Sequence, residues 1–263
     1  IAKEPSLAPA AGVASDALVR FLIANKMDAA QAAAEYEEAL RVRQATGLDA
    51  IQREIVERNP GFFGGGSATL DTIFFCESDA EVDAAHPRSI TSPATGSGPY
   101  TPLVDRKGNL VSIEAVGGID HAGVVAAGTD KWERRSLYLI ELKQLIMNEF
   151  SRRSGVLRLT CNVVDMTGAS LMPNPFPSKA EKSVKAANKA FGAKAQLCFP
   201  TTTYKTYLIN IPDSVASMAG PAIKAVVPAR SASKLKVMGH DYRAALHSDV
   251  EPAHLPRRLG GTL

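Results

Sequence analysis

The chain has 263 residues, 22% of them charged and 45% hydrophobic, enough to bury a substantial core in one large domain or in a small helical unit beside an α/β domain. No apolar run approaches the roughly 18 residues that cross a bilayer, and the N-terminus, IAKEPSLAPAAG, has neither an initiator Met nor a signal-peptide core, as expected of a soluble fragment or processed form. Three isolated cysteines, Cys76, Cys161 and Cys198, lack CxxC spacing, so the chain suggests neither a disulfide framework nor a zinc site, and a reducing compartment is expected.

The net charge of +3 hides a division. Residues 1–133 hold 11 Lys/Arg against 19 Asp/Glu, and residues 134–263 hold 19 against 8, so an acidic half is joined to a basic one. Such a dipole turns its positive end toward an anionic surface, phospholipid or nucleic acid. Aromatics near the basic clusters are few, with Phe150, Phe176 and Phe191 the closest, which favours a membrane and argues against nucleic acid.

In chain order, Leu18, Val19, Leu22 and Ile23 recur at helical spacing from Ser15 to Asn25 behind a Ser15 cap. Asp28 then caps a longer helix, Ala29 to Thr46, which Gly47 stops, and Leu48, Ile51, Ile55 and Val56 carry a third helix to Arg58. These predict an acidic three-helix unit over 15–58 whose apolar stripes need a partner. Residues 59–99 contain FFGGGS, the acidic ESDAEVD and the turn-rich SITSPATGSGP, and they predict an insert or linker that is mobile in part. Gly64 to Gly66 have no strand before them and no GK[ST] after them, so they do not make a phosphate loop.

Beyond the insert, Thr101 to Val104 and Leu110 to Val116 flank a turn with Gly108, a hairpin signal. A helix at Trp132 to Arg152, a strand at Leu157 to Met166 and a helix from Ser178 to about Lys194 follow. A strand Lys205 to Ile211, a helix near Asp213 to Val227, a short strand Lys234 to Met238 and a helix Asp241 to His247 complete the pattern. Strands separated by helices predict an α/β domain over 100–263 with a mainly parallel sheet. On the Leu157 to Met166 strand, Thr160, Asn162 and Val164 share one face and Leu159, Cys161 and Val163 the other. A strand apolar at both parities is normally buried, so the polar pair Thr160 and Asn162 needs a partner, from a neighbouring element or a ligand.

This order of segments resembles the CRAL-TRIO lipid-binding domain of the Sec-fourteen-like phosphatidylinositol transfer proteins. The resemblance rests on ALVRFLIANKMD (Ala17 to Asp28), DRKGNLVSIEAVG (Asp105 to Gly117), CNVVDMTG (Cys161 to Gly168), KTYLINIP (Lys205 to Pro212) and LPRRLGG (Leu255 to Gly261), in the family's order. It implies an N-terminal helical unit followed by a mixed, mainly parallel sheet flanked by helices, holding one phospholipid in a hydrophobic pocket under a movable helix. It also aligns Thr160, Asn162, Thr201 and Lys234 with the family's headgroup contacts, with Thr201 standing where the family has an acid, so that an acceptor for inositol hydroxyls is missing. The gate it implies is the helix after Pro212, whose Val215, Met218, Ala222, Ile223 and Val226 make an apolar stripe around Gly220-Pro221; Val164 and Leu208 would complete the pocket. An ordinary kinked core helix fits the same stripe.

Lys179, Lys182, Lys185 and Lys189 form a cationic stripe, read either as a solvated face or as a contact with anionic headgroups. For catalysis there is no GxSxG elbow, HExxH or Walker motif, and no metal or cofactor other than the bound lipid is expected. His240, His247 and His254 read as surface histidines, and Asp165 as the residue that holds the turn after its strand. The expected function is a non-enzymatic carrier of a phospholipid of the phosphatidylinositol or phosphatidylcholine class, cytoplasmic and peripherally bound to membranes. Such a carrier would present its lipid to a lipid kinase or trafficking protein. The alternative is an interaction module with a degenerate pocket that docks a trafficking protein or small GTPase.

Overall fold

A computed structural model describes residues 14–63, 72–75, 79–92, 100–169, 174–212 and 232–263. Three helices open the chain: α1 (Ala14–Ala24), α2 (Ala29–Thr46) and α3 (Leu48–Arg58). The first begins one residue before Ser15, so Ser15 lies inside it and is not its cap. Asp28 caps α2 as expected, its carboxylate accepting from the backbone N–H groups of Ala30 and Gln31 at 3.0 Å. Gly47, at φ +70°, both ends α2 and turns the chain into α3, a conformation that a side chain would strain.

The apolar stripes of this unit do find partners. Phe21 and Tyr36 meet edge to face at 5.2 Å in a small cluster with Ala39 and Leu40, while Leu48, Ile51 and Ile55 join the main core. Two arginines fasten the unit to the rest. The buried Arg20 donates to the carbonyls of Arg158 (2.8 Å) and Thr201 (2.9 Å), and Arg43 makes a bidentate pair with the buried Glu141 at 2.8 and 3.0 Å.

The described part of the insert differs from the predicted mobile linker. It forms α4 (Pro60–Phe63), α5 (Ala80–Ala85), β1 (Arg88–Ser89) and β2 (Thr91–Ser92), and it buries Phe62, Ile73, Val82 and Ile90 almost completely. Ile73 and Tyr100 exchange both backbone hydrogen bonds, at 2.7 and 2.9 Å. Single apolar residues set among Gly, Ser and acids leave no periodic signal, yet each fills a core position.

The remaining elements are β3 (Thr101–Pro102), β4 (Leu110–Ala115), α6 (His121–Ala127), α7 (Thr129–Ser154), β5 (Thr160–Asp165), α8 (Lys179–Cys198), β6 (Thr203–Ile209), β7 (Leu235–Val237) and α9 (Arg243–Asp249). The predicted hairpin survives only as a bridge from Val104 to Leu110 across the Gly108 turn, because β3 pairs with β2 in a separate two-stranded sheet. The short α6 carried no predicted signal. The main sheet runs β1-β4-β5-β6-β7, with β1 antiparallel to β4 and every other pair parallel, in line with the α/β expectation. The predicted helix Asp213 to Val227 lies outside the described residues.

Parity divides the sheet into two unlike faces. Val111, Ile113, Cys161, Val163, Tyr207 and Ile209 point to one side and are sealed by Tyr242, Leu246, Val250, Leu255 and Leu259. Gly261 closes this cover, since a Cβ there would sit 1.9 Å from the Leu255 carbonyl oxygen. On the other side the register aligns Ser112 with Asn162 and Thr206, and Glu114 with Val164 and Leu208. All of these except Ser112 are only half-buried.

Candidate ligand-binding cavity

A cavity of about 540 Å³ opens on the half-buried face beside β4, within the volume range of small-molecule sites. Its floor includes Ser112 and Glu114. One wall is a stripe of α7 in which Trp132, Arg135, Ser136, Leu139, Ile140 and Lys143 recur at intervals of three and four, the spacing that keeps side chains on one helical face. The opposite wall comes from the insert, which supplies Phe75, Asp83, His86, Arg88 and Ile90. The segment that read as a linker therefore builds part of the site.

The polar groups of the cavity form a chain. The Trp132 indole, a donor only, gives its N–H to His86 Nδ1 at 2.9 Å, so Nδ1 must accept and Nε2 is left to donate to Glu114 at 2.8 Å. The two rings lie nearly parallel, 6° apart. Burial pushes the Glu114 carboxyl up, but the His86 bond and the nearby Lys143 and Arg88 charges outweigh it and hold the group below the ordinary glutamate value. Arg88 donates to Ser136 Oγ at 3.0 Å and lies over the Trp132 ring, while Arg135 grips Asp83 with two bonds of 2.8 Å between the rings of Phe75 and Tyr138. Burial and then the like charge of Arg135 pull Arg88 below the usual arginine range, against Glu114 and Asp83. Burial, helped by the Arg88 charge and opposed by Glu114, likewise lowers the Lys143 ammonium, which reaches Ser112 Oγ at 3.5 Å.

The residues aligned with headgroup contacts lie elsewhere on the same face. Thr160 is buried and its hydroxyl donates to the Thr202 carbonyl at 3.0 Å; the Asn162 amide reaches Thr160 Oγ1 at 3.3 Å and is half-buried. Thr201, in a left-handed conformation at φ +52°, donates to the Arg20 carbonyl at 3.0 Å. Lys234 donates to the Thr203 carbonyl at 2.6 Å. The structure brings these four together at the N-terminal edge of β5 to β7; Thr160 is four residues along its strand from Val164, the partner of Glu114, and so roughly 13 Å from the charged end of the cavity, whereas Asn162 pairs across the strands with Ser112 of the cavity floor. None of the four is among the described residues that line it.

Val164 and Leu208, expected in the pocket, share the face of Glu114 but are not among the described residues that line the cavity, and the gate residues Val215, Met218, Ala222, Ile223 and Val226 fall outside the described residues. Lys179, Lys182, Lys185 and Lys189 are all exposed on α8, with Lys185 paired to Glu181 at 2.8 Å. Near the start of that helix Phe176 is 89% exposed. Asp165 holds its turn by accepting from the Thr167 N–H and hydroxyl and from the Asn210 amide, at 2.7–3.0 Å. Burial pushes the Cys161 thiol up to about 12 and the Cys198 thiol to about 11, so both stay protonated and inert at neutral pH.

Sequence reasoning missed His86, Arg88, Glu114, Arg135 and Lys143. Two signals were available: the alternation of apolar and polar residues in Val111-Ser112-Ile113-Glu114, and the shared face of Trp132, Arg135, Ser136 and Lys143.

Fold and cavity together define an α/β domain in which helices stand over one half-open sheet face. Residues 98–261 match the CRAL/TRIO domain, and the chain belongs to that family. It is 24% identical over 249 residues to a phosphatidylinositol/phosphatidylcholine transfer protein of Arabidopsis thaliana, a match over 93% of this chain and 36% of that one. It is 26% identical over 161 residues to the Sec14 cytosolic factor of Schizosaccharomyces pombe, covering 60% of this chain and 53% of the relative. The SEC14 cytosolic factor of Eremothecium gossypii is 24% identical over 252 residues, with 93% and 68% covered. The chain thus spans between about a third and two thirds of the length of these relatives. Among solved structures, that of Sfh5 shares the fold, with a TM-score of 0.54 at 16% identity over 89% of this chain and 67% of that one.

Proposed function

We propose that the chain binds one phospholipid, of the phosphatidylinositol or phosphatidylcholine class, or a similar amphiphile in this cavity and exchanges it at membranes. The observation that carries this reading is the cavity itself, which joins a charged end to aromatic and aliphatic walls on the one sheet face that the core does not seal. Enclosure is what a carrier needs, because two acyl chains of common length cost on the order of 20 kcal/mol to expose, at about 0.8 kcal/mol per methylene. The Arabidopsis relative's name, a transfer protein for two phospholipids, supports the same reading.

Contact with the membrane falls to the exposed lysines of α8, each worth about 1 kcal/mol beside an anionic surface, with Phe176 available to enter the interface. Thr160 and Thr201 would donate to a headgroup only by releasing the backbone carbonyls they now hold, whereas the Lys234 ammonium, with three N–H donors, and the Asn162 amide need no such release. The test is transfer of a fluorescent phospholipid between vesicles. Transfer should rise with the anionic lipid content of the acceptor, fall with salt and drop in Lys182→Glu/Lys189→Glu. A rate equal to spontaneous exchange in all conditions would refute the proposal.

A further inference from the structure

Among the described residues that line the cavity, four cations, Arg58, Arg88, Arg135 and Lys143, stand against two carboxylates, Asp83 and Glu114. Both carboxylates are committed. Asp83 is held by two bonds from Arg135 and Glu114 by His86. Guanidinium capacity is nonetheless left over. Arg88 Nε and NH2 and Arg135 NH1 are buried without an acceptor among the described residues, and Arg135 as a whole is only 9% exposed.

Unmet donors on buried cations are costly, and native structures rarely keep them without a reason. A water molecule could accept from one such donor but would leave the excess positive charge uncompensated. An anion with several acceptor oxygens answers both deficits at once. The surroundings narrow its chemistry further, since Phe75, Ile90, Leu139 and Ile140 also line the cavity and would suit an apolar tail. A cationic headgroup would meet four like charges against two carboxylates here, and Arg88 already covers the Trp132 face.

We infer that the cavity is built for an acidic amphiphile whose phosphate or carboxylate docks among Arg88, Arg135 and Lys143, with its tail along the apolar wall. The inference rests on the carrier reading and adds to it a ligand class and a headgroup position distinct from the Thr160 edge.

The experiment incubates the full chain with phosphatidylcholine vesicles containing equal amounts of phosphatidate and of diacylglycerol with the same acyl chains. The protein is then separated from the vesicles and its lipid extracted and counted. Wild type should retain phosphatidate over diacylglycerol by about tenfold, the value of one charge-assisted hydrogen bond. Arg88→Gln and Lys143→Met, each checked for an unchanged circular dichroism spectrum, should shrink that preference to less than about twofold while still carrying lipid. Equal retention of the two lipids by wild type overturns the anionic inference and leaves carriage standing. Retention of no lipid of any kind overturns carriage and the inference with it. A parallel arm adds inorganic phosphate to lipid-free protein. Thermal stabilisation by phosphate at concentrations that also expel phosphatidate would assign the site to free phosphate and overturn the amphiphile.

Discussion

The two faces of the central sheet are made by the same strands and differ only in side-chain parity. At Val111, Ile113, Cys161, Val163, Tyr207 and Ile209 the face is apolar apart from one phenol and is sealed by the C-terminal segment. At Ser112, Glu114, Asn162, Val164, Thr206 and Leu208 it is mixed and mostly half-buried, and its β4 residues Ser112 and Glu114 floor a cavity. Stability and ligand capacity are therefore assigned to opposite sides of one element. On the proposed carrier reading, a pocket that opens and refills is built where the fold depends on it least.

The largest test of that division pairs neighbouring positions. Ile113→Ala should cost about 3 kcal/mol, as expected of a fully buried aliphatic, while Val164→Ala should cost less than about 1 kcal/mol, both read from urea unfolding midpoints. Similar losses would dissolve the distinction between the faces. Next comes the phenol of the sealed side, where Tyr207 donates to Asp249 and to the Ala245 carbonyl. Tyr207→Phe should lower stability by about 1 kcal/mol without changing the lipid carried.

Acid should reveal the same anchor. Burial raises the Asp249 carboxyl, but its bonds with Lys205 and Tyr207 outweigh this and hold the folded value below the ordinary aspartate range. A depressed value means that the associated stability is fully present above the unfolded aspartate pKa of about 3.9 and is lost as the pH falls through the folded value. Thermal melts of Asp249→Asn between neutral and strongly acid pH should fall less steeply than those of wild type. The smallest expected effect lies on the open face. Arg88→Met removes a buried charge with unmet donors, so stability should stay within about 0.5 kcal/mol of wild type or rise slightly.

Much of this frame could be read from local chemistry. Asp28 and Ser178 cap their helices, Gly47 breaks the chain between two others, and the alternation of strands with helices carries the parallel sheet. The misses share one cause. Phe62, Ile73, Val82 and Ile90 are core residues embedded in turn-rich sequence, where no period marks them, so a segment that supplies an edge strand and a cavity wall looked like a linker. The site was harder to see, because His86, Glu114 and Trp132 come from three distant segments and meet only through the packing of β1 and α7 on β4. Thr160 stands out as a polar residue in a buried strand, and its partner is the Thr202 carbonyl of the neighbouring segment.

The central claim, that the open face houses a lipid, is tested most directly by counting what the protein carries. Wild type and Ser112→Phe, in which a ring would occupy the cavity floor, would be purified without detergent, extracted with organic solvent and analysed by mass spectrometry. The account predicts one lipid per wild-type chain and a marked loss in the variant; wild-type protein free of lipid, or equal loading of the two, would contradict it.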